Sequence, residues 1–171
     1  MPHQAYSVFS IPDTAAEVLH VMPIFYGMLG FASAAANASA LRAVRTVSSS
    51  NAFIRCWAVT DAAGGGATRV VLIHKDPTAS ASAAITISPP GGARLAGDAS
   101  LVRGLPGGAG MSSAWDGGLS LAGWTYGATT DGSATRAPGV PESESVAPGA
   151  GGEFSFQLPP ASFAILTLPA H

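Results

Sequence analysis

From Val44 to the end of the chain, apolar and polar residues alternate with a period of two in one short run after another, the pattern of strands with two different faces. In Phe53-Ile54-Arg55-Cys56-Trp57-Ala58-Val59-Thr60, the side chains of Phe53, Arg55, Trp57 and Val59 share one face. The stretch from Asp61 to Ala67 holds three consecutive glycines and predicts a hairpin-type turn into Thr68 to His74, a run rich in β-branched residues. Further strands are predicted over 83–88, 100–103, 119–126, 153–158 and 163–168, and an extra short strand over Ala93 to Leu95 is compatible with the pattern. Many short strands between Gly/Pro turns, with no helical period between them, predict antiparallel sheets packed face to face. Thr129 to Gly152, rich in Pro, Gly, Ser and Ala, is expected to be a mobile surface loop because it is too long for an ordinary connection.

The first forty or so residues follow another rule. Thr14-Ala15-Ala16-Glu17 has the spacing of a capping box, and Pro23 fits the first position of a helix running through Tyr26, Leu29 and Phe31 to about Ala36. His3 to Pro12 has no period and reads as a loop. The expected fold is therefore mainly β: an antiparallel β-sandwich over 44–171, preceded by a loop and one α-helix over 1–43.

Composition narrows the partners. The chain has 171 residues, 47% hydrophobic and only 11% charged, with a formal net charge of -2, which is not the footprint of a nucleic-acid binder. Val18 to Ala36 contains no charged residue, but Pro23 interrupts it and no basic residue precedes it to set an orientation. Ala32-Ser33-Ala34 has the small-residue pattern of a signal-peptidase site, yet Asp13 and Glu17 lie where a secretory leader is basic. A buried helix is the expectation, with no membrane partner. The single cysteine, Cys56, sits beside Trp57 in a strand and is expected to be buried.

No complete catalytic constellation can be assembled from the residues. There is no Gly-x-Ser-x-Gly turn for a nucleophilic serine, and His3, His20, His74 and His171 are too scattered to form a metal site, so neither metal nor cofactor is expected. A glycosidase-type carboxylate pair needs two acids held across a substrate bond. Glu17 opens a helix, Glu142 and Glu144 fall in the predicted loop, and Glu153 begins a strand. His74-Lys75-Asp76 is the densest polar cluster and reads as a solvated turn. Gly64-Gly65-Gly66 precedes a strand, not a helix, and so lacks the setting of a phosphate cradle. Of three tryptophans that could stack on a sugar, Trp57 and Trp124 are expected in the core, and Trp115, before Asp116-Gly117-Gly118, is expected to be exposed.

In order and spacing, several of these pieces resemble the C-terminal region of glycoside hydrolase family 79, the β-glucuronidase and heparanase-like enzymes. Pro23-Ile24-Phe25-Tyr26-Gly27-Met28-Leu29 through Phe31 resembles the start of that family's last barrel helix. Arg69 to Asp76 is similar to its strand ending in Asn-Lys-Asp, with His74 in place of Asn. Leu119 to Gly123, Asp131-Gly132 and Pro160-Ala161-Ser162-Phe163-Ala164 to Leu168 resemble its closing strands in the same order.

The resemblance implies a (β/α)8 barrel carrying two catalytic glutamates, with a β-sandwich packed against it. By this correspondence the present chain starts after both glutamates, its helix is a remnant of the barrel, and the chain is expected to be inactive alone. The resemblance also implies an extracellular or vacuolar parent, and a glycan containing uronic acid as a ligand. His3-Gln4-Ala5-Tyr6-Ser7 is similar to the family's loop that touches the uronic acid, which makes Tyr6 a candidate sugar contact, with Ala5 where glycine is usual. Two functions from different classes follow: a non-catalytic sandwich supporting a catalytic barrel, or a stand-alone carbohydrate-binding or adhesion module with Trp115 as its anchor.

Overall fold

The computed structural model describes residues 9–10, 20–36, 38–42, 53–61, 66–76, 80–105, 119–126 and 133–170, and within them the chain is mainly β, with antiparallel sheets and one helix. Strands β1 (Phe9–Ser10) and β2 (His20–Val21) form a small antiparallel pair just before helix α1 (Pro23–Ala35). There follow β3 (Ala38–Arg42), β4 (Ile54–Asp61), β5 (Thr68–His74), β6 (Ala83–Ile87) and β7 (Ala99–Leu105). The chain closes with β8 (Ser120–Leu121), β9 (Trp124–Thr125), β10 (Thr135–Arg136), β11 (Glu144–Val146), β12 (Phe154–Leu158) and β13 (Ser162–Leu168).

Nine strands form one sheet in the order β10-β9-β8-β7-β13-β5-β4-β3, with β11 pairing β7; β6 and β12 form a separate two-stranded ribbon. At its centre, β5 pairs with β4 from Thr68↔Thr60 to His74↔Ile54, and with β13 from Thr68↔Leu168 to His74↔Ser162. Its Val70-Val71-Leu72-Ile73 run suits a strand covered on both faces, because side chains alternate and here both sides find a partner.

The alternation separates two cores. Ala58, Val70, Leu72, Leu101, Ala164 and Leu166 point to the ribbon side, where they pack with Ile85, Phe154 and Leu158 of β6 and β12. Val71 and Ile165 point to the other side and meet Ala34 of α1, with Trp57, Val102 and Phe163 half-buried around them.

Helix α1 begins with Pro23, whose fixed φ and missing N–H suit the first turn; the preceding Met22 is extended and supplies no side-chain cap. Tyr26, Gly30 and Ala34, spaced four apart, are its buried stripe. Gly30 and Gly104 of β7 both lie against the ring of Phe163, and a Cβ added to either would overlap that ring. The helix can lie this close only because both positions lack a side chain. Its C-terminal end is tied down by Arg69, whose Nη2 donates to the Ala36 carbonyl at 2.6 Å and also pairs with Asp61 of β4.

Several expectations change. The first 43 residues, expected to hold only a loop and a helix, also contain β1, β2 and β3, and β3 joins the large sheet through β4. Cys56, expected to be buried, is half-buried. The predicted strand over 119–126 is a hairpin: Ala122 and Gly123 both have positive φ, 53° and 69°, the sign pattern of a two-residue type I′ turn, so the run folds back on itself. The expected loop over 129–152 contains β10 and β11 among its described residues, because Thr135-Arg136 pairs with β9 and Glu144 to Val146 pairs with β7. Ala93 to Leu95 is not a strand. His74 is buried at 1% exposure, not part of a solvated turn, since its Nδ1 hydrogen-bonds with the carbonyls of Leu158 at 3.2 Å and Pro159 at 3.1 Å.

Candidate functional site

Tyr6 and Trp115, the two predicted contact residues, lie outside the described residues, as do the Thr14 to Glu17 capping box and Asp131-Gly132. Among the described residues no group of three or more His, Cys, Asp or Glu side chains is placed to hold a metal ion, and no helix is long and apolar enough to cross a membrane. Among the described residues, the features that could act chemically fall in three places.

The first is the outer face of α1. Its thirteen residues include no charged side chain, and opposite the buried stripe stand Ile24, Met28 and Phe31, exposed at 43%, 56% and 63%. Their i, i+4, i+7 spacing places them in one row along the helix. This face is held rigidly. The Tyr26 hydroxyl accepts from the Tyr126 backbone N–H at 2.8 Å and lies 3.3 Å from Thr125 Oγ1, while Phe25 meets Tyr126 edge-on with ring centroids 5.1 Å apart. Phe53, also exposed, falls by the alternation of β4 on the same side as Arg55 and Trp57.

The second is a shallow, open depression of about 340 Å³ lined by Arg103, Leu105, Val140, Pro141, Glu144 and Gln157, together with Gly139 and Pro159. Arg103 lies beneath it as a brace. Its Nε and Nη2 donate to the two carboxylate oxygens of Glu144 at 2.6 and 3.1 Å, and its Nη1 donates to the Gln157 carbonyl at 2.6 Å. The guanidinium also sits 5.8 Å from the centroid of Phe156. Glu144, expected in a mobile loop, is instead fixed by β11 and by this two-pronged pair. The arrangement links the large sheet to the ribbon and leaves neither charge uncompensated.

The third is Trp124. Expected in the core, it is 39% exposed, because the turn at Ala122-Gly123 puts it on a narrow ribbon at the sheet's margin. Directly opposite on β10 is Arg136, whose guanidinium carbon lies 4.9 Å from the indole centroid. Glu142 Oε2 lies 3.7 Å from Arg136 Nη1. The sequence signal for this cluster was the Ala-Gly pair inside an otherwise continuous strand pattern; Arg136 and Glu142 had no signal, because their proximity to Trp124 depends on the return of the chain after the hairpin.

No protein-family model matches the chain, and no curated protein matches it. Among solved structures it is similar to CelM2, a bifunctional glucanase-xylanase from a metagenome library, with TM-score 0.40 and 16% identity over 70% of this chain and 16% of that one. It is similar to the GH51 α-L-arabinofuranosidase from Thermotoga petrophila RKU-1, with TM-score 0.40 and 9% identity over 67% of this chain and 19% of that one. The α-L-arabinofuranosidase from Thermotoga maritima, in its arabinose complex, has TM-score 0.40 and 13% identity over the same shares, 67% and 19%. The chain thus spans less than a fifth of the length of each solved structure it is compared with.

Proposed function

We propose that this chain is a non-catalytic β-sandwich module of a β-glucuronidase-like glycoside hydrolase, and that its helix side seats a catalytic (β/α)8 barrel. The observation that carries this reading is the row of Ile24, Met28 and Phe31 on a helix with no charged residue, pinned to the sheet by its opposite face. A helix apolar on both sides is the kind found between two packed bodies, and a contiguous exposed apolar patch marks an interaction surface. The resemblance of Pro23 to Phe31 to the family's last barrel helix supports a barrel as the second body. In this reading Tyr6 and Trp115 are contacts for a glycan containing uronic acid.

Light scattering on the purified chain, alone and mixed with a β-glucuronidase-like barrel, tests the reading. The chain is expected to self-associate or to bind the barrel, and a variant carrying Ile24→Ser, Met28→Ser and Phe31→Ser is expected to do neither. No hydrolysis of an aryl β-glucuronide is expected from the chain alone. A wild-type chain that stays monomeric and ignores the barrel would sink the proposal, and so would turnover abolished by a single Glu substitution. The second reading, a stand-alone carbohydrate-binding module, is favoured by one observation, the exposure of Trp124.

A further inference from the structure

We infer that Trp124, Arg136 and Glu142 form a binding site for a neutral oligosaccharide at the outer margin of the nine-stranded sheet. The inference stands apart from the docking of α1, because it uses other residues on another element.

The platform is rigid. Gly123 sits under the backbone of the returning chain, where an added Cβ would meet the Val140 carbonyl oxygen at 2.5 Å and that of Pro141 at 3.0 Å. The Ala122 N–H donates to the Arg103 carbonyl at 3.0 Å, and the Ala137 N–H donates to the Gly123 carbonyl at 2.8 Å. These contacts hold β9 and β10 in register, so the indole and the guanidinium meet in one geometry before any ligand arrives.

The polar groups are only loosely engaged. Arg136 Nη1 donates to the Ala122 carbonyl at a long 3.4 Å and stands 3.7 Å from Glu142, with the two side chains 46% and 72% exposed. By contrast, Arg103 makes three bonds of 3.1 Å or shorter within the fold. A guanidinium only donates hydrogen bonds and a carboxylate only accepts them, whereas each sugar hydroxyl does both. Side by side, Arg136 and Glu142 therefore complement a pair of neighbouring hydroxyls, and the indole offers an apolar surface to the C–H groups of a sugar ring. Their charges cancel, so the pair offers an acidic sugar no net attraction, which favours a neutral one.

The test is an NMR titration of the whole chain with xylohexaose, cellohexaose and an oligomer of hexuronic acid, following the tryptophan indole N–H signals, with the Trp124 signal assigned through Trp124→Phe. A neutral oligosaccharide is expected to shift the Trp124 signal saturably with a Kd on the order of 1 mM. Binding is expected to weaken by about tenfold or more in Trp124→Ala, a loss on the order of 1.4 kcal/mol. Arg136→Gln and Glu142→Gln, which alter exposed groups and leave the indole in place, should each weaken it severalfold. Absence of any shift, an unchanged shift in Trp124→Ala, or binding of the hexuronic oligomer alone would each overturn the site. Loss of association by Trp124→Ala with no glycan response would assign the indole to protein docking and overturn it as well, whereas failure of the Ile24, Met28 and Phe31 variant to change association bears only on the barrel.

Discussion

The two faces of the nine-stranded sheet are made by the same alternating strands, yet among the described residues one is closed and the other is not. On the ribbon side, Leu101, Phe154, Leu158, Ala164 and Leu166 are fully buried, at 0% exposure. On the helix side the core is smaller, Trp57, Val102 and Phe163 are only half-buried, and the exposed residues Phe53, Ile24, Met28 and Phe31 all lie there. Trp124 belongs to that side too, because it stands opposite Leu121, Leu121 stands opposite Gly104, and Gly104 stands opposite Phe163. Directly opposed residues of antiparallel strands share a face. All five exposed large hydrophobics among the described residues therefore lie on one side of the sheet. Stability is concentrated on the closed face, and the capacity to interact on the open one.

That contrast can be broken most severely on the closed face. Phe154→Ala removes a side chain with no access to solvent and leaves a cavity between the sheet and the ribbon. A loss of about 3–5 kcal/mol is expected in urea unfolding. A loss under about 1 kcal/mol would mean that the ribbon is not part of the main core.

A smaller effect is expected where α1 meets the sheet. Gly104→Ala drives a methyl group into the Phe163 ring and should cost about 1–3 kcal/mol. Combining it with Phe163→Leu should recover part of that cost in a double-mutant cycle. Strict additivity would show that the Phe163 ring does not lie over Gly104.

The hairpin that exposes Trp124 carries strain of its own, since Ala122 occupies a left-handed conformation that glycine adopts without penalty. Ala122→Gly is expected to raise stability by about 1 kcal/mol or less. Thermal unfolding gives the sign, and a lowered melting temperature would contradict the type I′ turn.

The smallest effect on stability belongs to the open face. Phe31→Ser, in a side chain 63% exposed, should change the unfolding free energy by no more than about 0.5 kcal/mol while reducing association in light scattering. A large destabilisation would place Phe31 in the core of the isolated chain and remove it from the interaction surface.

Most strands were readable in advance, because period-two alternation reports directly on a sheet with one closed and one open face, and the β-branched run Val70-Val71-Leu72-Ile73 on its central strand. Thr68 to His74 appears as written, and 83–88 and 163–168 differ from the observed strands by a single residue each. The hairpin at Ala122-Gly123 escaped because its first turn residue is Ala rather than the Asn, Asp or Gly that usually marks a type I′ turn. Strands β10 and β11 escaped for another reason: they are two and three residues long, too short for alternation to register, and they exist only because a partner strand is already in place. The candidate clusters were less readable still. Arg103 and Glu144 are 41 residues apart, and Arg136 meets Trp124 only across two strands.

By itself the sequence determined that the chain is mainly β, that one helix runs through Tyr26, Leu29 and Phe31, and that its strands have two faces, because these depend on local periodicity; which of two starts the helix takes, the Thr14 to Glu17 box or Pro23, it left open. Only the tertiary structure decided which face is closed, that His74 is buried against two carbonyls, that Trp124 stands at the margin, and that Ile24, Met28 and Phe31 face outward. Those outcomes depend on which distant segments come to lie together, and neither periodicity nor propensity carries that information.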